Sequence, residues 1–222
     1  MKYINSSIRG FKDRKIPYTI HGKVENAKDL VIFFPGANYT VNSPIFHFLG
    51  ELIFNQSLHI LEVNFPYKDE FYDDFSQKDL YKAVVTDAKL VIDKVLESHS
   101  YENYVFIGKS IGTIAMSSEL NRNIFKHSKG VWLTPLLNIT EVLNAISTTP
   151  NKGLCILGDQ DKIYSKKVWE IVEKNEHITT ILIPDANHRL EHQEDFYKSF
   201  DLLINIVSDI EKFLLKEVVN IE

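Results

Sequence analysis

The apolar run Leu30-Val31-Ile32-Phe33-Phe34 ends abruptly at Pro35-Gly36, and an uninterrupted run of this length suits a strand buried on both faces of a parallel sheet. The period then changes. Ile45, Phe48, Leu49, Leu52 and Ile53 recur at helical spacing behind Ser43-Pro44, a cap followed by a first-turn proline. The same alternation continues along the chain. His59-Ile60-Leu61-Glu62-Val63 predicts a strand and residues 65–75 an aromatic and acidic loop. Ser76-x-x-Asp79 is a capping box that opens a helix with Leu80, Val84, Ala88, Val91 and Val95 on one face. Tyr104-Val105-Phe106-Ile107 predicts a strand, residues 113–120 a helix, and Gly130-Val131-Trp132-Leu133 a strand. Residues 138–147 predict a helix capped by Asn138, with Val142 and Ile146 inward. A strand through Cys155, a helix opening at Ser165 and the strand Thr180-Ile181-Leu182-Ile183 follow. A final helix carries Phe196, Phe200, Leu203, Val207, Ile210 and Leu214 on a continuous inward stripe.

Strands alternating with helices predict an α/β fold with a mostly parallel sheet covered by helices on both faces. Residues 1–28 are polar and turn-rich, and residues 6–11 and 17–21 are read as two short strands forming an antiparallel edge. No linker, repeat or low-complexity segment interrupts residues 1–222, which are expected to form a single domain. Between the strand at Leu133 and the strand at Cys155 there is room for one helix and no more, so no large cap domain is expected.

Composition narrows the partners. With 44% hydrophobic and 25% charged residues, the chain has material for both a core and a charged surface. A net charge of −5 and the lack of a dense Lys/Arg cluster argue against nucleic acid. No apolar run approaches a membrane span, and the first 15 residues hold no apolar segment of the signal-peptide kind, so a cytoplasmic protein is expected. The lone cysteine, Cys155, cannot form an intrachain disulfide and falls in a predicted buried strand, where packing is its expected role.

The chemistry gathers where the strands end, as it does in open parallel sheets. Gly108-Lys109-Ser110-Ile111-Gly112 joins a predicted strand to a predicted helix, and small residues on either side of a serine let strand and helix approach closely. A serine hydroxyl is a poor nucleophile until a base takes its proton, histidine is suited to that task, and a carboxylate fixes the histidine tautomer. Here Ser110 is followed by Gly158-Asp159-Gln160-Asp161 and then by Pro184-Asp185-Ala186-Asn187-His188, the order Ser…Asp…His. Asp159 and Asp161 both compete for the acid position.

On these motifs the chain from Leu30 onward resembles a small serine hydrolase of the α/β-hydrolase superfamily, capless and esterase-like, similar in size to dienelactone-hydrolase-type proteins. The resemblance implies the α/β-hydrolase fold, Ser110 as nucleophile, His188 as base and Asp161, three residues after Gly158, as acid. It also implies an oxyanion hole from the backbone N–H groups of Ala37 and Ile111. Two residues depart from the pattern. Pro35-Gly36 stands where the family often has His-Gly, so a side chain that commonly braces that loop is missing. Lys109 precedes the nucleophile, and its stem is expected to pack while its amine reaches water. Dienelactone hydrolases carry cysteine where this chain has Ser110, which leaves that activity unsupported.

Asn38, Phe65 and Tyr67 are candidate substrate-binding residues, with aromatic packing as the competing role for the 65–75 loop. His188-Arg189-Leu190-Glu191-His192 also fits H-x-x-E-H, a zinc-peptidase pattern that requires both histidines on one helical face; the expectation is no metal, with His192 in the first turn of a helix. His21, His47, His59, His99, His127 and His177 are read as structural. The expected activity is hydrolysis of a small carboxylic ester or thioester through an acyl-enzyme, without a cofactor. The alternative is a ligand-binding protein on the same fold that turns over little.

Overall fold

The computed structural model describes residues 2–54 and 56–215. Its frame is an eight-stranded sheet. In chain order the strands are β1 (Lys2–Arg9), β2 (Lys15–Gly22), β3 (Asp29–Phe34), β4 (His59–Val63), β5 (Asn103–Lys109), β6 (Lys129–Leu133), β7 (Gly153–Gly158) and β8 (Ile178–Ile183). They lie in the order β1-β2-β4-β3-β5-β6-β7-β8, with β3 to β8 parallel and β1 and β2 antiparallel at one edge. The helices are α1 (Pro44–Phe54), α2 (Gln77–Leu96), α3 (Gly112–Leu120), α4 (Thr140–Thr148), α5 (Lys166–Val172) and α6 (Phe196–Leu215).

The two sides of the sheet build separate cores. Side chains of successive strand residues point to opposite faces, so Phe34 and Phe106 join α2, α3, α4 and α5 while Phe33 and Ile107 join α1 and α6. Phe33 and Phe34 are both fully buried, each worth roughly 2 kcal/mol of apolar burial. Ser76 caps α2 as its position predicts, its hydroxyl accepting from the Asp79 N–H at 3.1 Å, while the Asp79 carboxylate accepts from that hydroxyl at 2.6 Å. At the antiparallel edge, buried Asp87 on α2 accepts from the Phe11 N–H at 2.6 Å and the Tyr67 hydroxyl at 2.8 Å. Burial still holds its carboxyl above the usual range, with these two donors opposing.

Four local expectations are corrected. The edge strands are longer than predicted, and Phe11 falls in the 3-10 turn between them. Helix α4 begins at Thr140 behind Ile139, because a turn closed from the Ile139 N–H to the Leu136 carbonyl carries the chain through Asn138 first. On α1 the inward residues are Ile45, Phe46, Leu49 and Ile53, whereas Phe48 points to solvent. Helix α6 likewise departs at its start. Phe196 is 71% and Phe200 50% exposed, and full burial begins only at Ile206. Over these first turns the two rings pack on each other, their centroids 4.9 Å apart.

Among the described residues no helix is long and apolar enough to cross a membrane. Among the described residues the link between β6 and β7 contains α4 and no further helix or strand, so no cap domain is inserted there.

Candidate active site

Ser110 sits at the bend between β5 and α3 with φ 52°, a left-handed conformation that an L-residue holds only when its surroundings impose it. Its N–H donates to the Leu133 carbonyl at 3.0 Å, extending the β5–β6 ladder by one residue. Its carbonyl accepts from the N–H and the hydroxyl of Thr113, at 2.9 and 2.6 Å. The glycines have steric reasons. A Cβ on Gly112 would stand 1.9 Å from the Phe34 carbonyl oxygen, and one on Gly108 would stand 3.0 Å from the Gly112 carbonyl oxygen. Helix and strands therefore approach at backbone distance, and the serine is lifted clear.

The histidine and acid loops are bound to each other. The Gln160 N–H donates to the Ala186 carbonyl at 3.0 Å, and the Asp159 N–H donates to Ile183 at 3.0 Å. A Cβ on Gly158 would lie 2.0 Å from the Ala186 carbonyl oxygen, so only glycine allows the contact. Asn187 shapes the histidine loop, its side-chain oxygen accepting from the Arg189 N–H at 2.8 Å and the Glu191 N–H at 3.3 Å.

These loops bring three of the expected residues into one line. His188 Nδ1 lies 2.7 Å from Asp161 Oδ2, and His188 Nε2 lies 2.9 Å from Ser110 Oγ. An ionised carboxylate only accepts, so Nδ1 carries the proton and Nε2 accepts from the serine hydroxyl. The Asp161 side chain is 1% exposed and that of His188 39%, which buries the carboxylate end and leaves the serine end open. The second Asp161 oxygen accepts from the Ile163 N–H at 3.0 Å. Asp159 is placed elsewhere, its carboxylate accepting from the Asp185 N–H and the Gln160 amide.

The loop after β3 faces the serine. A Cβ on Gly36 would lie 3.4 Å from Ser110 Cβ, and Ala37 follows in a turn closed from the Tyr39 N–H to the Gly36 carbonyl. Ile111 precedes the first residue of α3. Neither the Ala37 nor the Ile111 N–H is committed to an acceptor among the described residues. Asn38 is exposed at the tip of the turn. Phe65 stacks between Phe34 at 5.8 Å and Tyr67 at 4.9 Å, while Tyr67 is buried with its hydroxyl on Asp87, so packing holds this stretch in place.

Lys109 is not where its chemistry predicts. Its amine does not reach water: the residue is 1% exposed, and Nζ donates to the Thr134 hydroxyl at 3.0 Å and to the His188 carbonyl at 2.9 Å. Burial drives the amine down to about 7; Asp161 and Glu191 oppose that shift and Arg189 adds to it. Nor is H-x-x-E-H helical. α6 starts at Phe196, and His192 Nδ1 accepts from the N–H groups of Glu194 and Asp195, ahead of the helix. No group of three or more His, Cys, Asp or Glu side chains suited to a metal occurs among the described residues.

A groove of about 490 Å³ adjoins the histidine loop, its apolar wall formed by Tyr39, Leu190, Phe196, Phe200 and Leu203 and its polar wall by the side chains between Arg189 and Asp195; none of Ser110, Asp161 and His188 lines it. Periodicity alone assigns Phe196 and Phe200 to the core. The one signal against this is their position at the start of α6, close behind the histidine loop.

No family model matches the chain, and no curated protein sequence matches it. Solved structures do match. A protein of unknown function from Agrobacterium tumefaciens, described as a candidate alpha/beta hydrolase, is 22% identical over 96% of this chain and 98% of its own, with a TM-score of 0.71. A serine hydrolase without a lid from Xanthomonas campestris is 12% identical over 100% and 97%, with a TM-score of 0.71. Est1E from Butyrivibrio proteoclasticus, solved with ferulic acid bound, is 13% identical over 94% and 98%, with a TM-score of 0.69. The sheet order, the serine bend at its centre and these likenesses agree that the chain has the α/β-hydrolase fold in its lidless form.

Proposed function

We propose that the protein is a serine hydrolase that cleaves a small carboxylic ester or thioester through an acyl-enzyme. The observation that carries this reading is the unbroken hydrogen-bonded line Asp161–His188–Ser110, with the serine held at φ 52° at the end of β5. Ser110 Oγ attacks the carbonyl carbon as its proton passes to His188 Nε2. Asp161 stabilises the imidazolium and keeps its ring in register. The tetrahedral oxyanion accepts from the N–H groups of Ala37 and Ile111, each worth about 3 kcal/mol in reactions of this kind. His188 returns the proton to the departing alcohol or thiol. Water, activated by the same histidine, then releases the acid.

An open site without a lid suits a small substrate or an accessible acyl group on a larger one. The groove lined by the residues that follow His188 takes the apolar part of that substrate on Leu190, Phe196, Phe200 and Leu203, and Asn38 and Phe65, from the loops after β3 and β4, are the candidates for contact with its other part. Turnover of chromogenic esters and thioesters by the wild type, Ser110→Ala and His188→Ala tests the reading. Both variants should lose about a thousandfold or more in kcat while remaining folded. Activity retained by Ser110→Ala overturns it.

A further inference from the structure

Lys109 lies on the face of β5 shared with Ile107, toward α1 and α6, directly beneath the meeting point of three loops. Its amine donates to the His188 carbonyl at 2.9 Å and to the Thr134 hydroxyl at 3.0 Å. It also sits 4.9 Å from the centre of the Tyr39 ring. Tyr39 belongs to the loop of Gly36 and Ala37, and its hydroxyl accepts from the Ile45 N–H at 3.0 Å at the start of α1. One side chain therefore touches the histidine loop, the loop facing the serine and the β6 extension, and its own backbone continues into Ser110.

Packing does not account for an amine here. A methionine would fill similar space with no polar group to bury, and a buried amine disfavours the folded state. The charged groups that act on it are Asp161 from the acid loop and Glu191 and Arg189 from the histidine loop, and the Tyr39 ring lies beside it; Asp161 is already hydrogen-bonded to His188.

We propose that Lys109 is a positioning residue, whose amine braces the histidine loop and Tyr39 against the serine strand and so holds His188 in line with Ser110. This rests on the serine-hydrolase reading above. Lys109 touches no reacting atom; it acts through the backbone of His188 and the ring of Tyr39. Losing the brace leaves the triad residues present but loosely aligned, and small misplacements of a reacting group cost large factors in rate.

The test compares wild type, Lys109→Met and Lys109→Gln in the rate of Ser110 modification by a fluorophosphonate, in melting temperature, in kcat and KM, and in the downfield Nδ1 proton resonance of His188. Lys109→Met is expected to melt at or above the wild-type temperature yet to label at least about tenfold more slowly. Its loss should fall on kcat, with the His188 proton broadened. Lys109→Gln provides the same rate comparison if the methionine variant does not fold. A folded variant that labels within about twofold of wild type overturns the proposal and leaves the hydrolase reading intact. Failure of both variants to fold makes Lys109 structural and also overturns it. A wild type that does not label removes the hydrolase reading, and this proposal with it.

Discussion

His188 Nε2 stands 2.9 Å from Ser110 Oγ although 78 residues separate them, and neither side chain makes that contact by local geometry. Ser110 is placed by the tight bend at the end of β5, His188 by the loop after β8, and two strands, β6 and β7, lie between those elements in the sheet. The alignment is a property of the whole frame. Small changes in the frame therefore have measurable consequences at the site.

Asp161 and Asp159 should separate cleanly. Asp161→Asn keeps the shape but presents an amide to His188 Nδ1, favouring the wrong tautomer, and should lower kcat by roughly 10³–10⁴-fold. Asp159→Asn should change it by less than about threefold, because Asp159 bonds to Asp185 and Gln160 and not to His188. Equal effects of the two substitutions would contradict the assignment of the acid.

Gly112 and Gly50 should respond oppositely to alanine. A Cβ at Gly112 meets the Phe34 carbonyl oxygen at 1.9 Å, a backbone atom that cannot step aside, so Gly112→Ala should destabilise by about 3 kcal/mol or more. At Gly50 in α1 the nearest atom is a Phe33 ring carbon at 3.8 Å. Gly50→Ala should be neutral or stabilise by about 0.5–1 kcal/mol, through the helix preference of alanine. Urea denaturation of the two variants checks both signs.

Much of this frame was legible beforehand, and the reason lies in period. The all-apolar β3 run and the helical stripe of α2 each have one satisfactory partner, a sheet face, so pattern dictated placement. The serine bend was legible because glycines at 108 and 112 answer a close approach that the backbone makes. Lys109, Phe196 and Phe200 were not legible. A lysine at a strand end is read as a stem with a wet amine, and nothing local says that the carbonyl of a residue 79 positions later will meet it. The apolar stripe of α6 predicts a buried face but not where along the helix burial begins; it begins at Ile206, and Phe196 and Phe200 line the groove instead.

The pH dependence of Lys109 follows from its burial. Its amine falls from the ordinary value near 10.5 to about 7 in the folded protein. Between those values the unfolded chain binds the proton that the folded chain releases, so wild-type stability from this group rises with pH. The penalty is complete at and below about pH 7 and gone above about 10.5. Lys109→Met has no such group. Its stability relative to wild type should be highest near pH 7 and should fall by a few kcal/mol, about 1.4 per pH unit at most, toward pH 10, on top of a constant loss from the two hydrogen bonds that methionine cannot make. Paired urea titrations across that window check the slope; a gap that does not change with pH would contradict the burial of the amine.

Labelling with a fluorophosphonate, followed by peptide mapping of wild type and Ser110→Ala, decides whether Ser110 is an activated nucleophile. One adduct is expected, on the peptide containing Ser110, absent from the folded Ser110→Ala variant. A folded wild type that takes no label, or an adduct that persists in Ser110→Ala, would contradict that role.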